Sequence, residues 1–385
     1  MRILIAPDKF KGSLSAREVA DHIATGLRER LEGAIIKTLP IADGGEGTAE
    51  VIRDARGGEL VTCTAHDALG RSAEGGYVWL HDTATAVIEM SAVAGLWRIA
   101  PEERDLLRAN TYGVGEMMKD AAKRGAKEIL LGLGGSATND GGLGMARALG
   151  FLFFATGKEQ EQEKELERPA QLVKLTRIVP PNTAGNSTAL SRRVGDAAFL
   201  RVIAAVDVKN PLLGPRGATR TFGPQKGGTP EQLEILENGL TTLADVASRD
   251  LGSDFRETPG AGAAGGLGFG LMTFCGASVK SGFEIVAEFV RLRSAIEEAD
   301  VVITGEGRLD EQTLEGKGPA GVARMAREFG KRVFAIVGSG SETAAVSALF
   351  ESVLVLARPP ITPEQSIARA PELLQERARE LAQMM

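Results

Sequence analysis

Five short clusters hold residue types that could do chemistry together. They are Pro7-Asp8-Lys9-Phe10-Lys11-Gly12-Ser13, Ala42-Asp43-Gly44-Gly45-Glu46-Gly47-Thr48, Gly132 to Gly142 (GLGGSATNDGG), Asp207-Val208-Lys209-Asn210-Pro211 and Thr304-Gly305-Glu306-Gly307-Arg308-Leu309-Asp310. A sixth, Pro259 to Gly266 (PGAGAAGG), is glycine-rich without acidic residues. GLGGSATNDGG is the most informative. Its glycines let the backbone approach an anion closely, and successive N–H groups can form an anion-binding concavity. Ser136 and Thr138 add hydroxyl donors, and the N-terminus of a following helix would favour negative charge. Taken alone, such a loop reads first as a tight strand-to-helix turn that needs no ligand. The dinucleotide pattern GxGxxG is only partly matched, and no ribose-binding acid is identifiable. Gly316-Lys317 is followed by Gly318, so GxxxxGK[ST] fails as well.

The acidic residues are a separate signal. Asp43, Asp207, Glu306 and Asp310 sit where a carboxylate could hold Mg²⁺ or orient a hydroxyl. Mg²⁺ is bound through one or two carboxylates plus substrate phosphates, so no dedicated cage is required. Each Asp singly is an ordinary turn former or N-cap. Several of them, beside glycine loops and cations, point to a phosphate-handling site. Lys9, Lys11, Lys226, Arg308 and Lys317 lie inside glycine-bearing motifs. A small anionic substrate needs a cation on its carboxylate, and a transferring phosphoryl group needs positive charge too. Lys11 and Arg308 are read in that role, whereas Lys9 and Lys226 are read as solvated surface residues.

These clusters need elements to position them, and four of the five follow an inferred strand. Ile3 to Ala6 form a β-branched run that PDKFKGS breaks. A helix starts near Ser15, with Glu18 three residues on as a capping box and Val19, Ile23 and Leu27 at helical spacing. A strand from Ile35 to Ile41 runs into ADGGEGT, and a helix follows from about Thr48. Near the other end, Val301 to Ile303, Val333 to Val337 and Val353 to Val355 read as strands ending in TGEGRLDEQT, GSGSE and ARPP. The helix Ala320 to Phe329 lies between the first two. Such alternation argues for parallel βαβ units. Residues 61–98 instead alternate as antiparallel strands do, and a helix from about Thr111 leads to a strand over Glu128–Leu133. The expected fold is α/β: a Rossmann/flavodoxin-like doubly wound parallel-sheet domain (1–60 plus 285–385), interrupted by a mixed α/β domain (61–284). The active site is expected in the cleft between them. In such sheets ligands bind beyond the carboxyl ends of the strands.

Composition narrows the class. A chain of 385 residues exceeds the size at which one hydrophobic core stops growing, so two domains are expected. Apolar residues at 43% and charged residues at 25% describe a globular protein. The net charge of −6 argues against an electrostatic nucleic-acid binder. Cys63 and Cys275 form no CxxC pair, and His22, His66 and His81 share no metal-ligand spacing or triad order. The apolar start is too short for a signal peptide, and no stretch is long enough to span a membrane, so the cytoplasm is the expected compartment. Met117, Met118 and Trp97 are read as core or interface packing. The tract GKEQEQEKELER is read as a solvated helix or excursion, and PPNTAGNSTALSRR as an exposed loop.

Eight motifs, in order, resemble the bacterial glycerate kinase family of the two-domain type. They are IAPDKFKGSLSA, PIADGGEGT, TYGVGE, LGLGGSATNDGGLGMARALGF, DVKNPLLGP, FGPQKG, PGAGAAGGLGFG and ITGEGRLDEQTLEGKGPAGVA. The resemblance implies ATP-dependent phosphorylation of D-glycerate with 2-phosphoglycerate favoured, and a related hydroxy acid or sugar acid as the alternative substrate. A non-catalytic sugar-acid sensor is more remote, since Asp43, Asp207 and Asp310 are all present. ATP and Mg²⁺ are the cofactors implied. D-glycerate and ATP are the partners, without nucleic acid or membrane, and a homodimer is allowed. On what phosphoryl transfer requires, Gly134, Gly135, Ser136, Thr138 and Asn139 are expected to cradle phosphate, with Gly265 and Gly266 beside the nucleotide. Asp43 and Asp207 would share metal binding and proton acceptance, in an order left open. Lys11 and Arg308 would engage the acid's carboxylate or the phosphoryl group, and Asp8, Asn210, Asp310 and Thr313 would face the substrate.

Overall fold

The βαβ grammar at the two ends of the sequence produces a five-stranded parallel sheet in the computed structural model, which describes residues 1–156, 163–181, 200–309, 318–340, 346 and 348–385. In chain order the strands begin with β1 (Arg2–Ile5), β2 (Ile35–Thr38), β3 (Glu59–His66), β4 (Ser72–Leu80), β5 (Thr85–Glu89), β6 (Glu128–Gly132) and β7 (Leu152–Thr156). They continue with β8 (Glu163–Glu165), β9 (Arg177–Val179), β10 (Arg201–Ala205), β11 (Ser278–Lys280), β12 (Val301–Leu309), β13 (Arg332–Gly340) and β14 (Ser352–Val355). The chain divides into two units, 1–56 with 282–385 and 57–281.

The first unit holds the sheet β14-β13-β12-β1-β2, parallel throughout. Helix α1 (Ala16–Arg28) returns the chain from β1 to β2. Its start is the capping box read from sequence: the Glu18 amide donates to Ser15 Oγ, and the Ser15 amide donates to the Glu18 carboxylate. Val19, Ile23 and Leu27 are buried in one cluster with Ile3, Ile5, Val301, Ile303, Phe334 and Ile336. From β1 the order runs one way to β2 and the other way through β12, β13 and β14. The reversal between β1 and β12 is the switch point at which flavodoxin-like sheets bind ligands.

Two strands run further than their β-branched cores. TGEGRL and GSG are not loops after β12 and β13 but part of them, with Glu306 opposite Val337 and Arg308 opposite Ser339. Glycine permits this close pairing. A Cβ on Gly305 would lie 2.1 Å from the Ile336 carbonyl oxygen, and one on Gly338 would lie 2.4 Å from that of Gly307. At the other boundary, β2 stops at Thr38, short of Ile41.

The second unit holds the sheet β11-β10-β6-β5-β4-β3. Its first four strands are parallel, and β4 and β3 add on antiparallel, as the alternation over 61–98 implied. Helix α2 (Tyr112–Arg124) buries Met117 and Met118 in the core of this unit. Trp97 is not in the core: it is 63% exposed, with the Arg98 guanidinium over its ring. The charged tract departs too, because residues 163–165 pair with β7 as a strand and Leu166 is buried. Residues 157–162 of that tract, and 182–193 of PPNTAGNSTALSRR, lie outside the described residues.

Gly305→Ala tests the close ladder between β12 and β13. Backbone faces the new methyl, so overpacking of about 1–3 kcal/mol is expected. The urea midpoint of the variant should fall accordingly, and an unchanged midpoint would contradict the packing described.

Candidate functional site

In the first unit, the loops after β1 and β2 meet the extended end of β12 around a crevice of about 440 Å³. Asp8, Lys9, Lys11, Asp43, Glu306, Arg308 and Ser339 are among its lining residues. The backbone sets the loop after β1, since the Asp8 amide donates to the Gly305 carbonyl at 2.8 Å and Phe10 pairs with Leu14. Lys9 is not a solvated surface residue. Its ammonium reaches the Glu46 carboxylate at 3.1 Å and also the Glu46 carbonyl, so it ties the loop after β1 to the loop after β2. Lys11 and Arg308 remain exposed on the crevice wall. Asp43 shapes its own turn by accepting from the Gly45 amide at 3.1 Å.

Asp8 is the unusual acid of this crevice. Desolvation holds its carboxyl well above the usual carboxylate range, and the charge of Asp43 adds to that. The Lys9 amide and the Lys9 charge oppose it in part. A carboxyl of raised basicity that lines one crevice with two exposed cations is a candidate to accept a proton from a hydroxyl of a small anion. The sequence marked Asp8 only as a substrate contact, because burial and proximity to Asp43 are properties of the folded loops.

In the second unit, the glycine loop after β6 is organised by Asp140. Its Oδ2 accepts from the Thr111 amide (2.8 Å), the Thr111 hydroxyl (2.8 Å) and the Gly144 amide (2.9 Å), and its Oδ1 accepts from the Gly142 amide (3.0 Å). The Met145 amide donates to Thr111 Oγ1 at 2.9 Å. These bonds correct one expectation. The helix that follows the loop, α3 (Leu143–Ala148), is only six residues long, and Asp140 and Thr111 already take amides of its first turn. It offers no helix N-terminus to a ligand.

The open part of the loop lies earlier. Gly135 is exposed and Gly134 half-buried, and no described residue accepts a hydrogen bond from the Gly134, Gly135 or Ser136 amide. Successive N–H groups left without an acceptor among the described residues are the kind of backbone that can hold an anion. Thr138 and Asn139 are buried behind it. The Asn139 amide nitrogen donates to Thr219 Oγ1 at 3.0 Å, while Thr138 Oγ1 and Asn139 Oδ1 have no partner among the described residues. Gly265 and Gly266 shape the loop by backbone contact. Gly265 has φ +67°, and a Cβ there would lie 2.0 Å from the Thr138 carbonyl oxygen.

Lys226 requires the largest correction. Read as a surface lysine, it is 3% exposed, and its ammonium donates to Ser136 Oγ and to the Thr138 carbonyl, both at 2.7 Å. Burial pushes its pKa down to about 7, against the opposing effect of Asp140. The only sequence signal was a cation inside the glycine-bearing run FGPQKG. Asp207, half-buried after β10, accepts from Ser281 Oγ at 3.2 Å. Asn210 holds its own loop, its amide donating to the Arg216 carbonyl at 2.7 Å. Asp8, Lys11, Asp43 and Arg308 thus share one crevice, while Asp207, Asn210 and the glycine loop belong to the other unit. Asp310, Thr313 and Lys317 lie outside the described residues.

The raised basicity of Asp8 has a stability consequence. A carboxyl whose folded pKa is raised stabilises the fold below its ordinary value of 3.8, and that contribution is lost as pH climbs through the raised folded value. Asp8→Asn removes the penalty. Its urea midpoint should exceed that of the unsubstituted protein at pH 8, and the difference should shrink toward pH 4.

Comparison with known proteins finds relatives over nearly the whole chain. The family model described as "Glycerate kinase family" matches residues 3–385. A glycerate kinase of Bacillus subtilis (strain 168) is 40% identical over 389 aligned residues, covering 99% of this chain and 97% of the relative. A glycerate 2-kinase of Escherichia coli (strain K12) is 42% identical, covering 88% of this chain and 85% of its own. A crystal structure from Salmonella typhimurium LT2, assigned as glycerate kinase 2, superposes with a TM-score of 0.82 at 39% identity. It covers 100% of this chain and 98% of the other. With a whole-length family match and relatives this similar over most of both chains, the protein belongs to the glycerate kinase family.

Proposed function

We propose that the protein transfers the γ-phosphoryl group of ATP to a hydroxyl of D-glycerate, with 2-phosphoglycerate as product. The convergence of Asp8, Lys11, Asp43 and Arg308 on one crevice at the sheet's switch point carries this reading. The names of the relatives support the substrate.

Phosphoryl transfer passes through a loose transition state, so positioning and charge stabilisation supply most of the catalysis. Lys11 and Arg308 hold the acid's carboxylate and leave a hydroxyl directed at the reacting phosphorus. Asp8, kept basic by burial and by Asp43, takes the hydroxyl proton. The Gly134, Gly135 and Ser136 amides hold the phosphate tail. Among the described residues no group of three or more His, Cys, Asp or Glu side chains is placed to bind a metal. The donor set therefore fits Mg²⁺ only as an ion that enters with phosphate oxygens and takes one or two carboxylates, for which Asp207 and Asp43 are the candidates. When bound, Mg²⁺ would neutralise charge on the phosphates.

Purified protein should release ADP only when D-glycerate, ATP and Mg²⁺ are all present, with NMR identifying the product. A folded preparation that gives no glycerate-dependent ADP would overturn the proposal, and a higher kcat/KM for another short hydroxy acid would reassign the substrate. Asp8→Asn, which removes the proposed base, should lower kcat at least ~100-fold, and Asp43→Asn and Asp207→Asn should each raise the Mg²⁺ concentration needed for half-maximal turnover. Lys11→Ala and Arg308→Ala should raise KM for glycerate at least ~10-fold while leaving KM for ATP nearly unchanged, which steady-state kinetics with each substrate varied in turn will measure.

A further inference from the structure

Lys226 is the buried charge that the proposed mechanism leaves without a task. A lysine with 3% exposure is costly to keep unless it is bonded and its charge is answered. The bonding is present, since the ammonium donates to Ser136 Oγ and to the Thr138 carbonyl at 2.7 Å each. The charge is only half answered. Among the described residues Asp140 is the acid that acts on it, and both Asp140 oxygens are engaged by Thr111, Gly142 and Gly144. An ammonium carries three N–H groups, and the described residues accept two of them.

The direction of the bond to Ser136 matters. An ammonium can only donate, so Ser136 Oγ must accept there, and the hydroxyl hydrogen is left to point elsewhere. Ser136 adjoins the free amides of Gly134 and Gly135. We propose that Lys226 is a positioning residue for the nucleotide's phosphate tail: it turns the Ser136 hydroxyl into an obligatory donor and sets a buried positive charge behind the loop for the phosphate to answer. The inference rests on the phosphate-cradling role given above to residues 134–136. It has a linked effect, because an anion on the loop favours the ammonium over the neutral amine. With a free-protein pKa lowered to about 7, Lys226 loses much of its proton above neutrality and regains it when the anion binds.

Lys226→Met, close in length and apolar, tests this in the full chain. Calorimetric titration with MgADP at pH 8, in two buffers of different ionisation enthalpy, reads affinity and proton uptake together. The unsubstituted protein should take up protons on binding. The variant should bind MgADP at least ~10-fold more weakly without that uptake, and its KM for glycerate should stay within about twofold. A lysine that merely filled space would change the urea midpoint and leave these readouts alone. A folded variant with unchanged MgADP affinity overturns the inference. If the variant does not fold, the unsubstituted protein decides: proton uptake at pH 8 supports the proposal, and its absence overturns it. Failure of the unsubstituted protein to bind MgADP or to release glycerate-dependent ADP would instead sink the phosphate-loop reading itself.

Discussion

The buried carboxylate of Asp140 fixes the shape on which the second unit's chemistry depends. Desolvation pushes it toward protonation and keeps its pKa raised, and four hydrogen bonds from Thr111, Gly142 and Gly144 offset part of that cost. By taking amides at the start of the short helix, it leaves the earlier turn as the place where free N–H groups gather. The anion that the loop's helical end can accommodate is already part of the chain. At Gly134 to Ser136 the backbone amides have no acceptor among the described residues, although the Gly135 carbonyl accepts from the Leu96 amide.

A different constraint governs the first unit. Asp8 and Asp43 end neighbouring strand–loop segments, and Lys9 stitches those segments together through Glu46. The result is an acid that resists ionisation next to cations that stay accessible. Site chemistry of this kind is held at a cost in folding free energy, and the helix–sheet core beneath it supplies the margin. That core is conventional: one face of α1 against the β-branched residues of β1, β12 and β13.

Much of this was legible in the sequence for identifiable reasons. Period-3.6 and period-2 patterns located α1 and the strands over 61–98, and the capping box at Ser15 was read correctly because it is purely local. Placement of Asp8, Lys11, Asp43 and Arg308 at strand ends followed from the strands. What was not legible depends on partners distant in sequence. Lys226 looks like any lysine until Ser136 and Thr138, nearly ninety positions away, close around it. Gly265 and Gly266 are expected beside the nucleotide, and the packing role of their missing side chains, which make room for the loop itself, shows only in the folded chain. The extended ends of β12 and β13 were read as loops because glycine carries no β propensity. The pairing there is decided by how closely two backbones can approach.

The two tryptophans give the molecule a built-in optical asymmetry. Trp79 is 7% exposed in the core of the second unit, while Trp97 stands in solvent. The Trp97 indole nitrogen lies close over Gly95, whose backbone bridges to Ser136 of the glycine loop. A dissolved collisional quencher will therefore reach one indole and spare the other. The light that survives belongs to the interior, and the light that is lost belongs to the margin of the turn where Gly135 is exposed.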